Sequence, residues 1–435
     1  MAPLTSITEG GACLNLHSPT KMPNASGFLW NENTLLQINC RGYATAQFMQ
    51  PEASKYVFAP NLEAKTFMQP EQEYYSDHPG RFFYIKDDES QDVFSAPFAP
   101  MNQTLDSFTF SQRKSDIAWQ LVNNDLEINI KVKLANDKSI EHWSFTLKNL
   151  SKKSRKISIY PCFSIGFRSW MNQSADFISE FNTILAKGIT PYQKVEDYFA
   201  NQDLHEQTFF MAKVTPDSWC ANKSIFEGVG GITSPDSISA SQLTNSCVKY
   251  QTPVAAMHYK RTLISGQELT FDFLFGPSKD EQQVADIYNH YFADVDDDQT
   301  DNELNNSFDI NHQAAINIES GDIDFDVFIN HWLPRQVFYH GDINRCTTDP
   351  QTRNYLQDAL GMSYLKPERA RTAILTTLAQ QLESGALPDG ILLHKDATLK
   401  YINQVPHSDH CVWLPLTLQV YLNESNAVSL LTEHI

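Results

Sequence analysis

The chain has 435 residues, 41% of them hydrophobic and 12% aromatic, with a formal net charge of −19. That length exceeds what one hydrophobic core ordinarily supports, so two domains, or a large one with an appendage, are expected. The acidic balance excludes non-specific attraction to nucleic acid or an anionic membrane, which rests on lysine and arginine neutralising phosphates, and favours a neutral substrate or a protein partner.

From about Leu35 to Gly276 the dominant pattern has period two. In 126–134, Leu126, Ile128, Ile130, Val132 and Leu134 share one face; Trp143, Phe145 and Leu147 do so in 141–149, Ile157 and Ile159 in 155–161, and Leu269, Phe271, Phe273 and Phe275 in 268–276. Half-buried strands of this kind must pair their backbones and hide one face, which predicts a large antiparallel β-sandwich. The basic link 149–156 reads as a hairpin turn. Seven widely spread cysteines without a CxxC pair fit reduced thiols. No basic start precedes an apolar run and no window approaches eighteen apolar residues, so a soluble, cytoplasmic chain without a cleaved signal is expected.

Period two then yields to helical spacing. Residues 278–292 predict a helix opening on Ser278, with Val284, Ile287 and Tyr288 on one face, and the acidic stretch 293–307 reads as a linker. The predicted division is a sandwich over 1–277, a helical and acidic linker over 278–318, and a helical part over 319–435. In that last part Phe325, Phe328, Ile329 and Trp332 form an apolar face before Pro334 interrupts the ladder. A helix over 366–385 has Pro367 in its first turn, Ala370, Ala373, Ile374, Thr377 and Leu378 as its core face, and Gly385 as its stop. Residues 411–423 predict a buried helix bent at Pro415, although an open arc of too few helices would leave Val412, Leu414, Leu416 and Val420 exposed. Strands first and helices afterwards mean two domains of different class.

The stretch 332–358 crowds three arginines, three acids and several aromatics, the composition of a sugar-binding wall. Trp332, Trp413 and Tyr339 read first as core residues. His340, His407 and His410 show no spacing of metal ligands, and His394 and Asp396 read as surface residues. Asp409 stands where a helix cap would.

Several motifs, taken in order, resemble one family. RFFYIKDDES (81–90) and FSAPFAP (94–100) are similar to two N-terminal strands of glycoside hydrolase family 94, the inverting disaccharide phosphorylases. FEGVGGITSPDSI (226–238), LQDALGMSYLKPERARTAIL (356–375) and PHSDHCVWLPL (406–416) are similar to later segments of it, and the 332–358 variant resembles most the cellobionic acid phosphorylase branch. The resemblance implies a β-sandwich, a helical linker and an (α/α)6 barrel, in a homodimer without cofactor. It implies cleavage of a β-glucosidic disaccharide, cellobiose or cellobionic acid, by inorganic phosphate to give α-glucose 1-phosphate. Because phosphate is the nucleophile, one carboxylic acid suffices, to protonate the leaving oxygen.

By position in the family motif, Arg353 and Asp358 would hold glucosyl hydroxyls, with Gln357 beside them and Asn354 where most members carry an aspartate. A planar guanidinium and a carboxylate each make two fixed hydrogen bonds to neighbouring hydroxyls, so the residue types suit the role. Without the family, Arg353 and Asp358 would be an ion pair on one helix, though at five residues apart they are not well placed for it. Asp409 would line the barrel mouth, and Gln193 is the candidate for a glutamine reaching the acceptor subsite of the adjacent subunit. No tryptophan here is followed two residues later by an aspartate, the pattern of the family's general acid. Twelve barrel helices need roughly 200 residues, whereas 114 remain from Asp322 (435 − 321). The expectation is therefore a truncated, inactive N-terminal part with no catalytic residue of its own; the alternative is a non-catalytic carbohydrate-binding or dimerisation module.

Overall fold

The computed structural model describes residues 3–50, 54–55, 79–166, 173–188, 204–293, 316–343, 347–399 and 407–434. Two compact units emerge. One comprises Met1–Thr8, Cys13–Phe48 and Ser54–Asn306; the other comprises Glu9–Ala12, Met49–Ala53 and Ser307–Ile435. Gln193 lies outside the described residues, as does the acidic stretch from residue 294 onward.

The first unit is a stack of antiparallel sheets with eleven, five and four described strands. The alternating segments form strands Leu126–Leu134, Glu141–Asn149, Arg155–Ser164 and Glu268–Ser278. Trp119, Trp143 and Phe145 from the large sheet meet Phe83, Ile159 and Phe163 from the five-stranded sheet in one core. Within it Phe83 stacks on Phe145 at 4.7 Å and Trp119 on Trp143 at 6.0 Å. Burial of so many aromatic rings supplies the main driving force for this unit.

The link 149–156 is not a hairpin turn. Glu141–Asn149 pairs with Leu126–Leu134 and Glu268–Ser278, whereas Arg155–Ser164 pairs with Pro253–Leu263 and Arg81–Asp87. Both edges of each strand are taken, so the link carries the chain from one sheet to another. Asn149 holds the crossing, its amide donating to the Lys153 and Leu263 carbonyls at 2.7 and 3.0 Å.

Strand Arg81–Asp87 is buried on both faces. One face enters the common core. The other is covered by the 226–243 segment, whose Phe226, Ile232, Ile238 and Leu243 pack against Phe82, Tyr84 and Tyr160. Tyr84 donates to the Ile232 carbonyl at 2.6 Å and the Lys86 ammonium to that of Ile238 at 2.9 Å, so the polar tips of a buried strand are satisfied by the cover.

Helix α1, Glu281–Tyr291, opens on Asp280 rather than Ser278, which is the last residue of its strand. The Asp280 carboxylate accepts from the Gln283 amide at 2.8 Å, and Gln283 reaches back to accept from the Lys279 amide at 2.7 Å. This reciprocal capping outweighs the weaker hydroxyl signal of Ser278. Val284, Ile287 and Tyr291 then pack on Leu185, Phe209 and Leu274 of the sheet.

The second unit is helical. Pro334 does not interrupt its first helix: Ile323–Val327 runs through a π-turn, Phe328–Trp332, into helix α2, Leu333–Ile343. In the π-turn the Leu333 amide donates to the Phe328 carbonyl five residues back, and the shifted ladder accommodates a residue without an N–H. Phe325 and Phe328, expected on an apolar face, are 50% and 49% exposed. The Trp332 indole donates to the Gly11 carbonyl at 3.0 Å. Gly11 has φ +106°, and a Cβ there would lie 2.8 Å from Val327 Cγ2 and 2.9 Å from His331 Cδ2. Gly11→Ala is expected to cost about 1–3 kcal/mol through backbone strain and to accelerate amide exchange over 323–332; an unchanged melting temperature and exchange pattern would refute this.

Helices α3, Thr352–Leu365, and α4, Pro367–Leu378, follow. Ala370, Ala373, Ile374 and Thr377 are buried as their spacing predicts, but α4 stops at Leu378, and Gly385 takes the later turn Leu382–Ala386 at φ +84°. Arg369 pairs with Asp342, tying α4 to α2. Helix α5, His410–Ser425, contains Pro415 and buries only His410, Thr417 and Tyr421, so it is not a buried helix; Val412 and Leu416 are 51% and 41% exposed. Among the described residues no helix is long and apolar enough to cross a membrane.

Candidate functional site

The start of α3 is held by a neighbouring loop rather than by a side-chain cap. The amide of the buried Thr352 donates to the Asp389 carbonyl at 3.0 Å, and its hydroxyl donates to the Pro388 carbonyl. With Thr352, Tyr355, Leu356, Ala359 and Met362 turned inward, the helical period leaves Arg353, Asn354, Gln357 and Asp358 half-buried on an adjoining stripe. All four helical candidates therefore share one face.

Asp409 comes to the end of this stripe. Its Oδ2 lies 3.4 Å from Arg353 Nη1 and accepts from the Trp413 indole at 3.2 Å. It precedes α5 but makes no capping bond. Arg353 is thus paired across helices, not with Asp358 along its own. Burial pushes the Asp409 carboxyl up, but the Trp413 and Arg353 hydrogen bonds and the arginine's charge outweigh this and hold it below its ordinary value. Asn354 donates to Gln351 Oε1 at 3.3 Å. The arrangement presents a guanidinium, two carboxylates, two amides and an indole, groups that bind vicinal hydroxyls well.

Behind Asp409 lies a cluster that sequence spacing did not reveal. Asp389 Oδ1 accepts from His407 Nδ1 at 2.7 Å and from the buried His410 Nε2 at 2.8 Å. One carboxylate and two imidazoles form a donor set that a divalent metal accepts. Their separations are nonetheless those of direct hydrogen bonds, since donors sharing a tetrahedral ion stand about 3.3 Å apart. Through its backbone Asp389 fixes the first turn of α3, and through its side chain the first turn of α5, so it sets the distance between Arg353 and Asp409. No signal in the sequence links Asp389 to histidines some twenty positions on.

Burial pushes the Asp389 carboxyl up, yet the hydrogen bonds from His410 and His407 and their charge bring it below its ordinary 3.8. A carboxyl depressed on folding adds stability that is fully present above its unfolded value and lost as the pH falls through its folded value. The α3–α5 contact is therefore expected to loosen below pH 3.8 in the wild type. Asp389→Asn should show the looser contact already at neutral pH, and chelation should leave melting unchanged. Protease nicking near 407–410 as a function of pH reads this out; identical profiles for both proteins would refute it.

The other predicted residues fall elsewhere. Tyr339 is buried in the core, and the half-buried Trp332 spends its indole N–H on the Gly11 carbonyl. His394 accepts from the Asp396 amide in a turn of its own. The described cysteines Cys13, Cys40, Cys162, Cys220, Cys247 and Cys411 are free thiols.

Residues 46–293 match the glycosyl hydrolase 94 supersandwich domain. The chain belongs to glycoside hydrolase family 94. A family relative, the cellobionic acid phosphorylase of Neurospora crassa, is 49% identical over all of this chain and 55% of that protein. The 3-O-beta-D-glucopyranosyl-beta-D-glucuronide phosphorylase of Paenibacillus borealis is 23% identical over 82% of this chain and 46% of its own length. The chain thus spans about half the length of the curated relatives it matches. Among solved structures, a bacterial glucoamylase complexed with acarbose superposes with a TM-score of 0.56 at 8% identity, covering 94% of this chain and 57% of that one. That likeness concerns the fold alone.

Proposed function

We propose that this chain serves the phosphorolysis of a β-glucosidic disaccharide, cellobionic acid before cellobiose, and that its helical unit holds the glucosyl residue. The observation that carries the proposal is the meeting of Arg353, Asp409 and Trp413 beside the Asn354–Gln357–Asp358 stripe. It stands in a chain 49% identical to a cellobionic acid phosphorylase. In this reading α2 to α5 belong to the first half of an (α/α)6 barrel. Arg353 and Asp358 fix the glucosyl hydroxyls, Asp409 holds the Arg353 plane, and the Trp413 ring edge borders the sugar.

Inorganic phosphate, as co-substrate, attacks the anomeric carbon from the face opposite the leaving group, which inverts the configuration. The leaving oxygen takes its proton from a carboxylic acid, and the product is α-glucose 1-phosphate. Fixed hydroxyl contacts serve this step by holding the anomeric carbon in line between nucleophile and leaving group.

The test measures glucose 1-phosphate released from cellobionate and from cellobiose, with and without phosphate. It uses the chain alone and the chain supplemented in trans with the C-terminal part of the Neurospora relative. Phosphate-dependent product, faster from cellobionate, is expected in at least one arm. No product in either arm would overturn the proposal, and binding without turnover would mark a carbohydrate-binding module instead.

A further inference from the structure

The sandwich carries a cavity of about 770 Å³ on the face of the eleven-stranded sheet that turns away from the core. Side chains alternate across a strand, so the residues between Ile117, Trp119, Ile128, Ile130, Trp143 and Phe145 all point into it. The register sorts them into rows. Ser111, Ala118, Lys131, Ser144 and Asp272 lie side by side across five strands. Thr109, Gln120, Asn129 and Thr146 form the row on one side, and Asp116, Lys133 and His142 the row on the other. The short side chains of Ser111, Ala118 and Ser144 make the middle row a trough between longer ones. Tyr291 and Phe292, from the end of α1, border it.

The chemistry of this lining is selective. Four cationic side chains, Arg113, Lys131, Lys133 and Lys213, face two carboxylates, Asp116 and Asp272, in a chain whose net charge is −19. Asp116 is engaged by Arg113 at 3.1 Å, and Asp272 lies 3.7 Å from His142. The hydroxyls of Thr109, Ser111 and Thr146 have protein neighbours in His17, Asn15 and Thr270, but a hydroxyl retains capacity for another partner. A neutral sugar would use the hydroxyl and amide rows and gain nothing from the charge of Lys131 beside them. A small inorganic anion would use the cations and leave the rows idle. A protein partner would want an apolar centre, which this trough lacks. A volume of this order suits a disaccharide.

We propose that this trough is a second carbohydrate site, taking a carboxylated saccharide such as an aldonate- or uronate-bearing disaccharide. The carboxylate lies against Lys131 and Lys133, and the hydroxyls run along Asn129, Gln120 and Thr146. The site is independent of Arg353 and of turnover.

The test uses the full chain carrying Arg353→Ala, which removes glucosyl binding in the helical unit, titrated at low ionic strength with cellobionate, cellobiose and inorganic phosphate. Saturation-transfer NMR and calorimetry are the readouts. Cellobionate should bind saturably, with cellobiose and phosphate each weaker by about tenfold or more. Lys131→Glu, at an exposed position, should weaken cellobionate by about tenfold, and Ser144→Trp should block the trough, both with unchanged circular dichroism. Absence of saturable binding, binding indifferent to both substitutions, or phosphate binding as tightly as cellobionate would each overturn the assignment. Absence of phosphorolysis by the chain with Arg353 intact, in both arms of the earlier assay and with cellobionate still held by Lys131, would count against the helical-unit site alone.

Discussion

Glu141→Gln is expected to destabilise the sandwich by about 3–5 kcal/mol, the cost of leaving a buried guanidinium without its counter-charge. Arg81 and Glu141 are both fully buried and pair in two parallel bonds, Nε to Oε2 at 2.9 Å and Nη2 to Oε1 at 2.7 Å. Arg81 belongs to the five-stranded sheet and Glu141 to the eleven-stranded one, so the pair bridges the two layers. The Trp143 indole donates to Glu141 Oε2 at 2.8 Å, and the Arg81 guanidinium lies over the Phe275 ring at 4.2 Å. Because both side chains are fully buried, the glutamine variant loses the counter-charge and leaves an Arg81 donor without a strong acceptor. Since a domain's whole stability is about 5–15 kcal/mol, much of the variant should be unfolded under mild denaturant. Urea titration followed by tryptophan fluorescence measures the loss. The double substitution Arg81→Met with Glu141→Leu should recover much of it, because an apolar pair of similar volume removes the desolvation penalty with the charges. A midpoint unchanged in Glu141→Gln would sink the argument.

Arg353→Ala is expected to lower kcat/KM for cellobionate phosphorolysis by roughly 10²-fold or more, the effect of one or two hydrogen bonds to a charged group at about 1.5–3 kcal/mol each. Arg353→Lys should recover little, because a point ammonium cannot reproduce two coplanar donors. Stability should barely move. The Arg353–Asp409 pair is half-exposed, and solvent screens such pairs. This combination separates a binding role from a structural one. A collapse in melting temperature with kcat/KM unaltered in the surviving protein would reverse the assignment. Asp409→Asn, which keeps an acceptor for Trp413 while losing the charge beside Arg353, should fall between wild type and Arg353→Ala.

Much of the sandwich was legible because burial of one sheet face imposes period two on each strand separately. Leu126 to Leu134 and Trp143 to Leu147 announce their inner faces without knowledge of any partner. The 149–156 link reads as a hairpin because a turn-rich sequence between two strands does not say whether those strands pair. That depends on Pro253–Leu263 and Glu268–Ser278, about a hundred residues away. The opening of α1 lay in plain view as Asp280 and Gln283, a stronger cap than Ser278. In the helical unit, Pro334 looked like a break because a one-residue shift of the ladder leaves no mark in composition.

At the candidate site, residue types and motif order were enough to select Arg353, Asn354, Gln357, Asp358 and Asp409, and the helical period placed the first four on one stripe. That Asp409 reaches Arg353, and that Asp389 gathers His407 and His410 to hold the two helix ends together, was decided only by tertiary structure. A hydrogen bond is specified by position and direction to within fractions of an ångström, whereas sequence constrains a residue only through its local period and chemical type. The family, the order of strands before helices and the residue types of the candidate site were therefore determined by the sequence itself. Which groups meet, the bridge of Arg81 to Glu141 included, was settled by the fold.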